Sequence, residues 1–210
     1  MKIKICGMRN TENISEITAL QPDFMGFIFY SNSKRYVGDD FPESSLKNIP
    51  NTIKKTGVFV NESIENIIAM QKRFNFSAIQ LHGSETPEYC QNLNNHIPII
   101  KVFSIDDHFN FDDLTRFQPY CQYFLFDTKT ENYGGSGKSF DWALLDKYIL
   151  DIPFFLSGGL GSINIDAALQ IKHPMFYGVD LNSKIETSPG IKNKEECKKI
   201  IESIRHHEHI

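Results

Sequence analysis

The chain has 210 residues, of which 40% are hydrophobic and 23% charged, a balance that predicts one soluble globular domain with a sizeable core. A formal net charge of -4 argues against general nucleic-acid binding, while leaving room for a local basic site. No stretch approaches a membrane span and the N-terminus lacks a signal-peptide pattern, so the chain is expected to start at Met1 and to work in the cytoplasm.

The elements alternate along the whole length. A first apolar run, Lys2 to Cys6, precedes a helical pattern from Thr11 to Leu20 with Ile14 and Ile17 on one face. Phe24 to Phe29 is almost uninterrupted in apolar character, as suits a strand covered on both sides. A polar loop from Ser31 to Asp40 and a weakly helical stretch from Pro42 to Asn48 follow. The third strand is predicted over Lys54 to Val60. Ser63 then caps a helix whose Ile64, Ile67 and Ile68 form one stripe. Ala78 to Leu81 is the fourth strand, and Thr86-Pro87 supplies an N-cap and a first-turn proline. Ile97 to Phe103 is the fifth strand, followed by a helix within Asp106 to Phe117; Tyr123 to Asp127 is the sixth. The glycine-rich loop Gly134-Gly135-Ser136-Gly137 leads into a helix carrying Trp142, Leu144 and Leu145. Pro153 to Ser157 is the seventh strand, Asn164 to Ile171 a helix, and Tyr177 to Asp180 the eighth strand. Cys197, Ile200, Ile201 and Ile204 mark a last amphipathic helix.

Eight strand-helix units predict a single (β/α)8 barrel over residues 1–205, with 206–210 as a C-terminal tail. A doubly wound open sheet is the alternative, but it normally carries a nucleotide-type glycine loop after its first strand, and here Gly7-Met8-Arg9-Asn10 has one glycine. The four cysteines, Cys6, Cys90, Cys121 and Cys197, form no CxxC pair, so neither a disulfide framework nor a zinc site is expected. Cys90, Cys121 and Cys197 are read as small apolar residues. The tail histidines His206, His207 and His209 are read as a frayed surface end.

In parallel α/β architectures chemistry sits at the carboxyl ends of the strands. Two reactive side chains stand there, Cys6 after the first strand and Asp127 at the end of the sixth, and a thiol and a carboxyl facing one cavity can share proton transfers. Cys6 is either that base or a buried apolar thiol; Asp127 is either an acid with a raised pKa or the cap of a turn. Gly158-Gly159 after strand seven and Asp180-Leu181-Asn182-Ser183 after strand eight stand where barrels bind phosphate through backbone N–H groups, although glycine pairs also serve as plain turns. Arg35 is a candidate carboxylate partner or a surface cation, and His82, after Gln80 and Leu81, is a ligand contact or a structural histidine. The loop at Gly134 to Gly137 is a candidate lid or a simple linker.

The order Lys4-Ile5-Cys6-Gly7, Ser33-Lys34-Arg35-Tyr36-Val37, Gly57-Val58-Phe59-Val60-Asn61, Gln80-Leu81-His82-Gly83-Ser84-Glu85 resembles the phosphoribosylanthranilate isomerases of tryptophan biosynthesis. The resemblance continues through Gly134 to Trp142, Leu156-Ser157-Gly158-Gly159-Leu160, Val179 to Glu186 and Pro189-Gly190. It implies a (β/α)8 barrel without metal or organic cofactor. It further implies an Amadori rearrangement of N-(5-phosphoribosyl)anthranilate to the open-chain carboxyphenylamino-deoxyribulose phosphate, with Cys6 as general base and Asp127 as general acid. Arg35 would hold the anthranilate carboxylate. Gly158, Gly159, Asp180, Asn182 and Ser183 would surround the phosphate end, with Asp180 on a sugar hydroxyl or orienting backbone donors, and Gln80 and His82 would line the pocket. The implied partner is a small phosphosugar, with no nucleic acid or membrane, and the chain acts as a monomer or homodimer.

Four departures stand out. Lys34 replaces the family's usual proline, which predicts a looser loop before Arg35. Lys184 replaces a usual glycine, which means strain if that position has a positive φ and otherwise an added positive charge. Ser157 and Asn193 are minor changes. A metal-dependent pentose-phosphate epimerase would need more histidines and carboxylates at the strand ends, and a silent phosphate-binding scaffold would not need Cys6 and Asp127 together.

Overall fold

A computed structural model of the chain describes residues 1–128 and 140–207. Eight parallel strands close into a barrel in sequence order: β1 (Lys2–Ile5), β2 (Phe24–Ile28), β3 (Lys54–Phe59), β4 (Ala78–Leu81), β5 (Ile99–Ile105), β6 (Tyr123–Thr128), β7 (Phe154–Leu156) and β8 (Phe176–Leu181). Closure is made by β1 on β8, with Lys4 opposite Asp180 and Ile5 opposite Leu181. Every strand thus has two neighbours, which removes the unpaired edges an open sheet would leave.

Outside the barrel lie α1 (Thr11–Thr18), α2 (Ser44–Lys47), α3 (Ile64–Phe74), α4 (Pro87–Asn94), α5 (Ile165–Ala168) and α6 (Lys194–His207). Four of them begin on side-chain caps, where Asn10, Ser63, Thr86 and Asn193 accept from the N–H groups of Asn13, Asn66, Tyr89 and Glu196. Two expected α-helices are instead 3-10 helices, Phe111–Phe117 and Trp142–Lys147. The first buries Phe111, Leu114 and Phe117, a spacing of three that lines up along one face when the turn tightens to three residues. The last helix runs on through His207, so His206 and His207 are helical rather than part of a tail. None of the helices is long and apolar enough to cross a membrane among the described residues.

Two apolar clusters hold the barrel. The larger lies between strands and helices and includes Cys90, Cys121 and Cys197, as the sequence predicts. The smaller consists of Phe24, Ala78, Ile100, Val102, Leu125 and Phe155. Phe24 and Phe155 have ring centroids 5.2 Å apart although β2 and β7 are not neighbours, so this cluster fills the barrel's interior. It is a packed core and not a channel.

Candidate active site

Along β1, alternate residues face the barrel interior, which puts Lys4 and Cys6 on the same side. Cys6 follows the strand and is held by its N–H to the carbonyl of Leu181 at 2.9 Å. Gly26 on β2 makes the room: a Cβ there would stand 2.7 Å from the Cys6 Sγ and 3.2 Å from the Lys4 Nζ. Burial pushes the Cys6 thiol up, Lys4 draws it back, Asp180 pushes it up again, and Lys192 opposes that; the net direction is upward. Lys4, fully buried, pairs with Asp180 at 2.7 Å.

Asp127 is delivered by β6, three positions from β1 around the closed barrel, so acid and thiol face each other across its mouth. Its Oδ1 accepts the Thr128 N–H at 2.8 Å. Burial raises its pKa to about 6, with the negative charge of Asp180 adding to the effect. The His82 Nε2 lies 3.6 Å from the Asp127 Oδ2, too far for a hydrogen bond. Burial, then the charges of Lys101 and Lys4, lower the His82 pKa to about 4, so the ring is neutral at physiological pH. Its Nδ1 contacts the Gln80 Nε2 at 3.2 Å, and with the amide donating, the imidazole proton stands on Nε2 and faces Asp127. The Gln80 Oε1 is buried with no hydrogen-bond partner among the described residues.

Below His82, Glu85 and Lys101 form a buried ion pair at 3.0 Å. Glu85 also accepts the N–H groups of Asn61 and Gly83, and Lys101 donates to the carbonyls of Leu81 and Gly83. Every one of these bonds fixes the turn that carries His82.

Arg35 makes a bidentate pair with Glu186, Nε to Oε1 at 2.9 Å and Nη2 to Oε2 at 2.7 Å. Glu186 also takes the Lys192 Nζ at 2.7 Å and the Gly190 N–H at 3.1 Å. Burial works against ionisation of Glu186, but Arg35 and Lys192 hold its pKa below the ordinary range. Arg35 therefore presents one edge of its guanidinium to Glu186, and its Nη1 edge remains for a second carboxylate. Gly7, at φ +79°, lets this group come close: a Cβ there would lie 2.8 Å from both the Arg35 Cδ and the Asn182 Oδ1. The loop before Arg35 is tied despite Lys34, by Ser33 Oγ accepting from the Arg35 N–H and by Arg9 donating to the Lys34 carbonyl.

The remaining predicted residues gather on the adjoining loops. Gly158 and Gly159 both have positive φ, +92° and +77°, which reserves these turns for glycine. A Cβ on Gly158 would stand 2.7 Å from the Thr128 N. Asn182 accepts from the Lys192 Nζ at 2.8 Å, and Ser183 opens a 3-10 helix, Ser183–Ile185. Lys184 is not among the residues with positive φ, so it carries no backbone strain, and its Cβ packs beside Gly161. Asp180 lies lower, committed to Lys4, with the Ser157 hydroxyl 3.5 Å from its second oxygen. The Gly134 to Gly137 loop lies outside the described residues; Phe140 N–H donates to the Thr128 Oγ1 at 3.2 Å. Sequence reasoning missed Lys4, Glu186 and Lys192 as site residues. A lysine inside a strand read as buried, two residues before Cys6, was the available signal for the first.

Comparison with known proteins gives the family. The family model described as N-(5'phosphoribosyl)anthranilate (PRA) isomerase matches residues 3–203. The N-(5'-phosphoribosyl)anthranilate isomerase of Parabacteroides distasonis is 42% identical over 98% of this chain and 94% of its own. The solved phosphoribosyl anthranilate isomerase of Thermotoga maritima superimposes with a TM-score of 0.84 at 33% identity, covering 98% of this chain and 99% of that one. Another solved structure of this kind, with a TM-score of 0.80 at 30% identity and coverage of 98% and 99%, is a complex with reduced 1-(o-carboxyphenylamino)-1-deoxyribulose 5-phosphate. The chain belongs to the N-(5'-phosphoribosyl)anthranilate isomerase family.

Proposed function

We propose that this isomerase carries out the Amadori rearrangement of N-(5'-phosphoribosyl)anthranilate in tryptophan biosynthesis with Asp127 as general acid and Cys6 as general base. Asp127 donates its proton to the ribose ring oxygen, the C1′–O bond opens, and an iminium forms. Cys6 then removes the C2′ proton, and the resulting enolamine tautomerises to the ketone. No covalent intermediate with the thiol is required. The observation that carries the reading is a carboxyl with pKa raised to about 6 facing a thiol across the barrel mouth.

Neutral His82 supports this assignment, since an imidazolium beside Asp127 would pull its proton off. The free edge of Arg35 suits the anthranilate carboxylate, and the backbone at Gly158, Gly159 and Ser183 suits the phosphate. Asp180, joined to Lys4, fits the orienting role better than a direct contact with a phosphate. A phosphorylated substrate does not cross membranes unaided, which supports action in the cytoplasm. Residues 1–205 then act as one catalytic barrel.

The reacting form needs Asp127 protonated and Cys6 ionised, the reverse of the order of their pKa values. Its fraction is constant between the two pKa values and falls on either side, so activity is flat from about pH 6 to the ionisation of the thiol. The test is conversion of synthetic phosphoribosylanthranilate by the purified chain, followed by loss of substrate fluorescence. Conversion supports the reading, and ligand binding without conversion overturns it.

A further inference from the structure

We propose that Lys4 is a positioning residue for the general base: its ammonium, anchored by Asp180, stabilises the Cys6 sulfur at the exit of β1 when the thiol gives up its proton. The inference rests on the assignment of Cys6 as base.

Three observations lead to it. Cys6 stands two residues after Lys4, just past the end of β1, so both side chains project to the same side. Both heads converge over Gly26, where a Cβ would sit 2.7 Å from the sulfur and 3.2 Å from the ammonium, and the charge of Lys4 acts on the thiol. The Lys4 ammonium is further fixed by Asp180 at 2.7 Å, across the β1–β8 register that places the two Cα atoms opposite each other.

The chemistry of burial points the same way. A buried ion pair contributes little net stability, and an interior like this one is ordinarily filled by apolar side chains, as it is at Phe24, Leu125 and Phe155. Lys101 shows what a structural buried lysine does here: its ammonium goes to the carbonyls of Leu81, Gly83 and Val102 and to Glu85. Lys4 instead points its charge at one carboxylate and one thiol. Burial opposes a charged Lys4, but Asp180 and Cys6 outweigh it and keep the ammonium protonated.

The groups acting on the thiol come from three strands. Lys4 on β1, Asp180 on β8 and Lys192 on β10 (Ile191–Lys192) act on it directly. Lys192 in turn carries Glu186 and Arg35. Two cations against one carboxylate act on the sulfur directly, and they favour the ionised form against the burial that opposes it. Lys4 also acts on Asp127 and His82, so its removal is felt across the mouth.

The experiment titrates Cys6 directly. The rate of its alkylation by iodoacetamide is measured against pH, resolved from Cys90, Cys121 and Cys197 by mass spectrometry of the Cys6 peptide, alongside turnover at each pH. In Lys4→Met the midpoint should rise by about one to three pH units. The flat region of turnover should fall about tenfold per unit of that rise. The alkaline limb is the informative one, because the substrate's phosphate titrates near pH ~6. Lys4→Arg should restore the wild-type midpoint. Asp180→Asn, which keeps the ammonium and removes the opposing charge, should move the midpoint down, and it carries the test alone if Lys4→Met does not fold. A structural lysine would change amounts of folded protein and neither midpoint. If Cys6→Ser is inactive while Lys4→Met and Asp180→Asn leave the midpoint in place, this inference is overturned and the base assignment stands. If Cys6→Ser keeps full turnover, both fall.

Discussion

Asp127→Asn should make the protein more stable and inactive at once. The acid's pKa of about 6 against an unperturbed 3.8 is a shift of roughly two units, and at about 1.4 kcal/mol per unit the ionised carboxylate costs up to ~3 kcal/mol at neutral pH. The side chain is 28% exposed, and solvent screening reduces the figure to about 1–2 kcal/mol. Asparagine keeps an oxygen for the Thr128 N–H and cannot ionise. Between pH 3.8 and about 6 the native carboxyl holds a proton that the unfolded chain has released. Wild-type stability therefore falls as pH rises through that window and is flat above it. The advantage of the variant should be absent below the unfolded pKa, grow through the window, and reach its full size above pH ~7. Urea denaturation of both proteins at several pH values measures it. A variant that is less stable than wild type at neutral pH, or a difference that does not change with pH, would refute the strained-acid account.

Three other perturbations follow from the same geometry. Gly26→Ala puts a methyl 2.7 Å from the Cys6 sulfur; overpacking should cost about 1–3 kcal/mol and displacement of the base up to ~10²-fold in turnover, read by urea midpoint and kcat. Arg35→Lys loses the planar fork shared between Glu186 and substrate, so KM should rise about 10- to 100-fold with a smaller change in kcat. Gly158→Ala forces a side chain into φ +92° against the Thr128 backbone, and a thermal melt should show a loss of more than ~1 kcal/mol.

Much of this architecture is legible in local pattern. The fourth strand, Ala78–Leu81, and the caps at Ser63 and Thr86 stand where apolar periodicity and cap chemistry put them. Those signals act within a few residues and need no knowledge of the fold. The 3-10 helices were harder, because an apolar spacing of three, as at Phe111, Leu114 and Phe117, suits one face of either helix type and does not choose between them. The hairpin of β9 (Glu186–Ser188) and β10 was missed although Pro189-Gly190, with Gly190 at φ +86°, is a turn signal, because its strands are too short to show alternation.

At the candidate site, Cys6 and Asp127 stand out in the sequence because each ends an apolar run at the edge where barrels place chemistry. What they need around them is long-range. The pairing of Arg35 with Glu186 joins residues 151 positions apart, and Lys4 meets Asp180 across 176. Neither contact leaves a spacing in the sequence. Asp180 was expected on a sugar hydroxyl or orienting backbone donors, and its pairing with Lys4 comes from barrel closure, which no single strand reveals.

The central claim is that Cys6 and Asp127 exchange protons with one sugar. Turnover of phosphoribosylanthranilate by wild type, Cys6→Ser and Asp127→Asn, measured side by side with binding of a reduced product analogue, tests it most directly. Both variants should bind the analogue and lose about 10²–10⁴-fold in kcat. Near-full turnover in either variant would contradict the assignment.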